Sequence, residues 1–264
     1  MIKKFLYFLD QYFDLNIIRK ILHFFRFNVF KIKSFVSYPF NSYEERNKNQ
    51  IILKSLPFSM AGHQALANCF DMIKYVNNQN LKGDICEFGV ARGGCSLAMA
   101  LTDKLINKQL NRNFFLFDSF AGLPAPNKEK DFDEKGSIGK AIFPLREGSL
   151  DSKLEEVEYL FYKKYNFTKN QIIFIKGFFE DTAENFRDNV GEISILRLDG
   201  DWYNSVFIPL EFYYEKVVKH GVIIIDDYRT CVGAKKAVQD FEKKINHKFL
   251  LKNYGKGGVY FFKP

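Results

Sequence analysis

Five short apolar runs, each ending next to an acidic residue or a glycine, constrain this chain more than any other feature. They are "GDICEFGV" (83–90), "FFLFD" (114–118), "QIIFIK" (171–176), "ISILRL" (193–198) and "GVIIID" (221–226). Runs of this length that are mainly apolar, rich in Ile and Phe and without regular polar alternation, read as strands buried on both faces. Segments with helical spacing stand between them and predict helices over 61–77, 94–107, 204–219 and 231–245, with further strands at 247–252 and 257–262. Strands alternating with helices predict an α/β fold, an open and mostly parallel sheet of seven strands with helices on both faces.

In such a sheet a ligand sits beyond the carboxyl ends of the strands, so the residues that follow each strand are the informative ones. They are Glu87 to Gly94, Asp118 to Pro124, Gly177 to Thr182, Asp199 to Ser205 and Asp226 to Tyr228. In "EFGVARGG", Gly89, Gly93 and Gly94 permit a tight turn that lets a ligand approach backbone, and the helix behind it offers free N–H groups. Val90 and Ala91 break any GxGxxG spacing and no GK[ST] occurs. A nucleoside without a cradled triphosphate fits better than ATP. Taken alone, the glycines serve helix–strand packing equally well. Asp118, at the end of the second strand, suits the two hydroxyls of a ribose; alone it would read as a helix cap. After the third strand, Gly177 leads into Phe178 and Phe179, one of which can flank an adenine while the other belongs to the core.

"ILRLDGDWYNS" (195–205) and "VIIIDDY" (222–228) set Asp199, Asp201, Asp226 and Asp227 at the ends of two apolar runs. Neighbouring strands bring Asp199, Asp226 and Asp227 together, and like charges that close repel unless a cation neutralises them. An all-oxygen set without His or Cys suits a hard ion, Mg2+ or Ca2+. The competing account has one carboxylate capping a helix and another paired with Arg197 or Arg229, which leaves the DxD and DD doublets on adjacent strands unexplained.

With 264 residues and 47% hydrophobic content, the chain suffices for a full core. Its four cysteines lack CxxC spacing and its four histidines are scattered. Reduced core thiols in a reducing cytosol are therefore expected, without disulfides or a zinc site. Of the net charge of +8, residues 1–40 hold seven Lys/Arg against two Asp. The basicity belongs to this segment, which argues against a general nucleic-acid surface on the rest. Phe5, Phe8, Leu9, Tyr12 and Phe13, then Ile17, Ile18, Ile21, Leu22 and Phe25, form an amphipathic stripe too interrupted by charge to cross a bilayer. Packing on the domain or across a dimer is the first reading of this stripe, and attachment to an anionic membrane face the second. Residues 41–56 read as a linker or flexible loop, the 41–62 segment as one able to fold over the site, and residues 125–150 as a long polar insertion after the second strand; the last two are expected to decide the acceptor.

"EFGVARGG", "FDSFAGLP", "KGFFEDT", "LRLDGDWYNS" and "GVIIIDDY", in this order, resemble the macrocin O-methyltransferase family over roughly residues 57–264. The resemblance implies a Rossmann-like class I methyltransferase sandwich, S-adenosylmethionine and Mg2+ as cofactors, and a small-molecule sugar or glycan acceptor. It implies Asp199, Asp226 and Asp227 as metal ligands and Asp201 as general base. It also implies a cofactor pocket built from Glu87, Phe88, Gly89, Arg92, Gly93, Gly94, Asp118 and Ser119, with Ser59 and Met60 as a lid. Trp202 departs from the smaller residue common in the family, which bears on the acceptor pocket. The resemblance makes 57–264 the catalytic domain and carries nothing over to residues 1–56, which read as a basic amphipathic helical appendage and linker or lid; a cytoplasmic homo-oligomer, peripheral at the inner membrane face in the second reading of the stripe, is expected. A metal-dependent glycosyltransferase using the DxD at Asp199 and Asp201 is the alternative enzyme class.

Overall fold

The computed structural model of the chain describes residues 15–139 and 145–264. The stripe from Phe5 to Phe13 and residues 140–144 of the insertion lie outside them. Five parallel strands follow the expected runs: β1 (Asp84–Phe88), β2 (Phe114–Asp118), β3 (Ile172–Lys176), β4 (Ile193–Leu198) and β5 (Val217–Ile225). Two antiparallel strands, β6 (Lys252–Asn253) and β7 (Val259–Phe262), complete a seven-stranded sheet in the order β3-β2-β1-β4-β5-β7-β6. The order reverses at β1, which therefore lies beside both β2 and β4. That is where an α/β sheet opens a crevice for a ligand.

Alternation along the strands feeds two cores. Ile85, Leu116, Ile195 and Ile224 point to one face and pack under helices α2 (Tyr43–Ser55), α3 (His63–Asn78) and α4 (Gly94–Asn107). Phe88, Phe117, Leu198 and Ile225 point to the other, under α7 (Tyr203–Tyr213) and α8 (Val232–Lys244). Two short helices, α5 (Leu154–Glu158) and α6 (Phe179–Thr182), flank β3, and α1 (Leu15–Ser37) precedes α2. All four cysteines are buried and free. Among the described residues no helix is long and apolar enough to cross a membrane.

Three local expectations are corrected. The stretch expected as a linker over 41–56 is helical from Tyr43. Its start is a capping box, in which the Ser42 N–H donates to Glu45 Oε2 at 2.9 Å and the Glu45 N–H donates to Ser42 Oγ at 3.2 Å. Ile51, Ile52 and Leu56 then enter the first core. The helix expected over 204–219 ends at Tyr213, and β5 begins at Val217. The strand expected over 247–252 shrinks to two residues. Phe249 instead stacks on Phe261 at 3.9 Å, and its N–H donates to the Glu242 carboxylate of α8 at 2.9 Å. The chain there is held by a helix rather than by a neighbouring strand.

Candidate metal and active centre

The sheet carries its register one residue past the strands, which lines up the chemistry. Phe88, Leu198 and Ile225 are partners across β1, β4 and β5. Beyond them the Asp199 N–H donates to the Phe88 carbonyl at 2.8 Å, and the Asp226 N–H donates to the Leu198 carbonyl at 3.0 Å. Gly89, Asp199 and Asp226 therefore stand in one row. A Cβ on Gly89, at φ +95°, would fall on the Asp199 carbonyl oxygen, so only glycine lets the turn pass this close.

Carboxylate oxygens of Asp199, Asp226 and Asp227 lie within 4.8 Å of one another, and Asp201, Asp227 and the Cys231 thiol meet the same condition. Burial raises Asp226 to about 6, reinforced by the charge of Asp199. Burial likewise pushes Asp227 well above the usual carboxylate range and Asp201 up to about 7, with neighbouring aspartates adding to both shifts. Asp201 holds a left-handed backbone at φ +60° and accepts a hydrogen bond from Cys231 Sγ at 3.3 Å.

Among the described residues one cation stands behind this group. Arg197, 1% exposed, lies 2.8 Å from Glu87, 2.9 Å from Asp199 and 3.1 Å from Asp226. Glu87, its cross-strand partner, is equally buried and also accepts from Ser96 Oγ. Desolvation lifts Glu87 to about 7 against the pull of Arg197. The pairing with Arg197 foreseen for a single carboxylate thus coexists with the cluster. Among the described residues one guanidinium faces five acidic side chains, and a donor set of hard carboxylate oxygens fits a divalent ion.

The expected cofactor residues divide. Gly93, Gly94 and the exposed Arg92 form the turn and the start of α4, and a Cβ on Gly94 would meet Ser59. Ser59 thereby seals the turn, beside a half-exposed Met60. Asp118 faces the turn itself. Oδ2 accepts the N–H groups of Val90 and Ala91 at 2.8 and 2.7 Å, and Oδ1 accepts that of Phe120 at 2.7 Å. Burial raises its pKa while those three N–H groups oppose the rise. Ser119 Oγ donates to the Gly122 carbonyl at 2.9 Å. The Glu87 oxygens are engaged as above, and the Phe88 ring stacks on Phe117 at 4.2 Å in the second core, which leaves Phe88 only backbone to offer a ligand. The ambiguity beyond Gly177 is resolved: Phe179 is core, edge-on to Phe88 at 5.2 Å, and Phe178 is exposed.

The described part of the insertion is tied over the acidic cluster. Trp202, the residue that departs from the family's smaller one, is 2% exposed, and its indole N–H donates to the Pro124 carbonyl at 3.0 Å. Asp131 accepts the N–H of Tyr203, the first residue of α7, at 2.6 Å and that of Asn127 at 2.7 Å. The Val232 N–H donates to the Ile138 carbonyl at 3.1 Å, beside a Gly139–Cys231 bridge. Tyr254, on the β6–β7 turn, donates to Asp226 Oδ1 at 2.5 Å. Sequence reasoning missed Asp131, Cys231 and Tyr254. Cys231 carried a weak signal, four residues beyond the DD doublet, and the other two carried none.

The family described as Macrocin-O-methyltransferase (TylF) matches residues 11–263. A demethyldecarbamoylnovobiocin O-methyltransferase of Streptomyces niveus is 30% identical over 76% of this chain and 74% of its own length. A mycinamicin III 3''-O-methyltransferase of Micromonospora griseorubida is 26% identical over 82% of this chain and 83% of its own. Among solved structures, the O-methyltransferase NovP is similar at 30% identity with a TM-score of 0.66, covering 78% of this chain and 82% of that one. The calicheamicin methyltransferase CalS11 shares the fold at 16% identity and a TM-score of 0.60, over 84% of this chain and 93% of its own.

Proposed function

The chain belongs to the macrocin-O-methyltransferase family and is an O-methyltransferase, and from that premise we propose that it moves the methyl group of S-adenosylmethionine to a sugar hydroxyl, with Mg2+ held by Asp199, Asp226 and Asp227. The observation that carries this reading is the three-carboxylate cluster beside the glycine turn, with oxygens within 4.8 Å of one another. A sugar acceptor is supported by a relative from Streptomyces olivaceus, 30% identical over 71% of this chain, whose name carries a rhamnosyl group methylated at its 4' oxygen. The four buried, free thiols suit a reducing cytoplasm.

S-adenosylmethionine supplies a methyl carbon on a sulfonium, already activated toward an oxygen nucleophile. The cation supplies positive charge that offsets the carboxylates and acidifies an adjacent hydroxyl. Everything else falls to the chain. Arg197 and Tyr254 fix the orientation of Asp199 and Asp226 from behind, as outer partners of a metal site do. Asp201, buried beside Asp227, receives the proton of the acceptor hydroxyl. The turn from Gly89 to Gly94, made rigid by Asp118, lets the nucleoside part approach backbone, and the exposed Phe178 offers a face to its adenine. Ser59 and Met60 close over that pocket, and the insertion pinned by Asp131 and Trp202 keeps water from the acceptor side.

The test is incubation with S-adenosylmethionine, Mg2+ and a panel of glycosides and nucleotide sugars, read by product mass. The expected result is one added methyl on a sugar, lost with EDTA and restored by Mg2+. Calorimetry with S-adenosylmethionine, S-adenosylhomocysteine and UDP-sugars runs beside it. A response to a UDP-sugar with none to the sulfur compounds sinks the reading.

A further inference from the structure

Apolar exposure is concentrated in one place. Of seventeen large hydrophobic side chains exposed among the described residues, eleven lie between Ile21 and Tyr43. Helix α1 sits on the body by one face only. Phe27 and Phe30 pack against the first core, Ser34 is buried, Phe30 stacks on His63 at 5.1 Å, and His23 Nε2 hydrogen-bonds the Ser59 carbonyl oxygen at 3.0 Å. At the helical period of 3.6 residues, Ile21, Phe24, Phe25, Val29, Ile32 and Phe35 form a stripe on the opposite side. Ile32 is 63% and Phe35 81% exposed. One polar residue, Asn28, falls within it, its amide donating to the Phe24 carbonyl at 2.8 Å. The stripe runs on through Tyr38 and Phe40.

Soluble chains rarely leave so continuous an apolar surface to water, and charge selects what covers this one. Arg26 and Lys33, seven residues apart, mark one margin of the stripe and Lys31 the other, and all three are exposed. No acidic residue occurs from 15 to 43. A second copy laid on this face, parallel or antiparallel, would set cationic margin against cationic margin. An anionic lipid surface reverses that conflict, taking the stripe into its acyl boundary while the long basic side chains reach lipid phosphates. We propose that the outward face of α1 is a docking surface for an anionic bilayer, lying in the plane of the interface without crossing it. This goes beyond the methyl-transfer reading and does not depend on it.

The experiment is flotation of the full chain with vesicles of phosphatidylcholine alone or mixed with phosphatidylglycerol, paired with light scattering for mass. Wild type is expected to float with the anionic vesicles at low salt and stay down with the neutral ones. The Ile32→Asp/Phe35→Asp variant, altered only at exposed positions, should lose more than about tenfold in vesicle affinity. Arg26→Glu/Lys31→Glu/Lys33→Glu should lose roughly fivefold per cation removed. Unchanged thermal unfolding and methyl transfer in both variants show that the fold persists. Wild type that fails to float with either vesicle overturns the proposal. If its mass is also that of a dimer, which Ile32→Asp/Phe35→Asp converts to monomer, the face belongs to a second copy.

Discussion

Asp201→Asn keeps the size of the side chain and removes its capacity to take a proton. Methyl transfer should fall about 10²- to 10⁴-fold, while calorimetric affinity for S-adenosylmethionine stays near wild type because the glycine turn is untouched. Arg197→Met acts differently. It strips the Arg197 guanidinium from Glu87, Asp199 and Asp226, and a buried ion pair broken on one side costs about 3–5 kcal/mol, measurable by urea unfolding. The four aspartates were legible in the sequence because a charged residue at the end of an apolar strand has few structural reasons to be there. Arg197 was legible only as a partner for one of them, since its reach to three depends on the register of β1, β4 and β5. Asp118 was placed at its strand end, but its bonds to Val90 and Ala91 depend on the path of the glycine turn, which spacing does not encode.

Asp131 ties the insertion to the N-terminus of α7, a capping bond supplied from 72 residues away in sequence. Asp131→Ala should destabilise the fold by about 1–2 kcal/mol, as loss of a helix cap does, and raise KM for the sugar more than KM for S-adenosylmethionine. Steady-state kinetics against both substrates separates the two. The parallel strands were read nearly in full because strands buried on both faces are near-continuous apolar runs. Helix α2 was missed because its first turns, "YEERNKNQ", are polar and its apolar contacts come only at Ile51, Ile52 and Leu56. β6 was overextended because Phe249 and Leu251 mimic strand alternation, whereas Phe249 in fact packs on Phe261 from an irregular segment.

The raised pKa values of the acidic cluster tie the stability of the whole molecule to pH, and the proposed Mg2+ site would tie it to metal as well. Glu87, Asp226 and Asp201 have folded-state values raised to about 7, 6 and 7. Their stabilising contribution is fully present below their ordinary values and is lost as pH rises through about 6 to 7. In EDTA, the melting temperature of wild type should fall between pH 5.5 and 8 relative to that of Asp201→Asn, and Mg2+ should restore it at pH 8 far more than at pH 5.5. A calorimetric scan series that shows no such difference removes the cluster as the cause. The twisted backbone at Asp201, φ +60° beneath a buried charge, has a further consequence. Selection for thermal robustness alone would discard this residue early, in favour of Gly or Asn. A library screened only for heat resistance should therefore accumulate inactive members at position 201, and its most durable chains would be poor guides to the working enzyme.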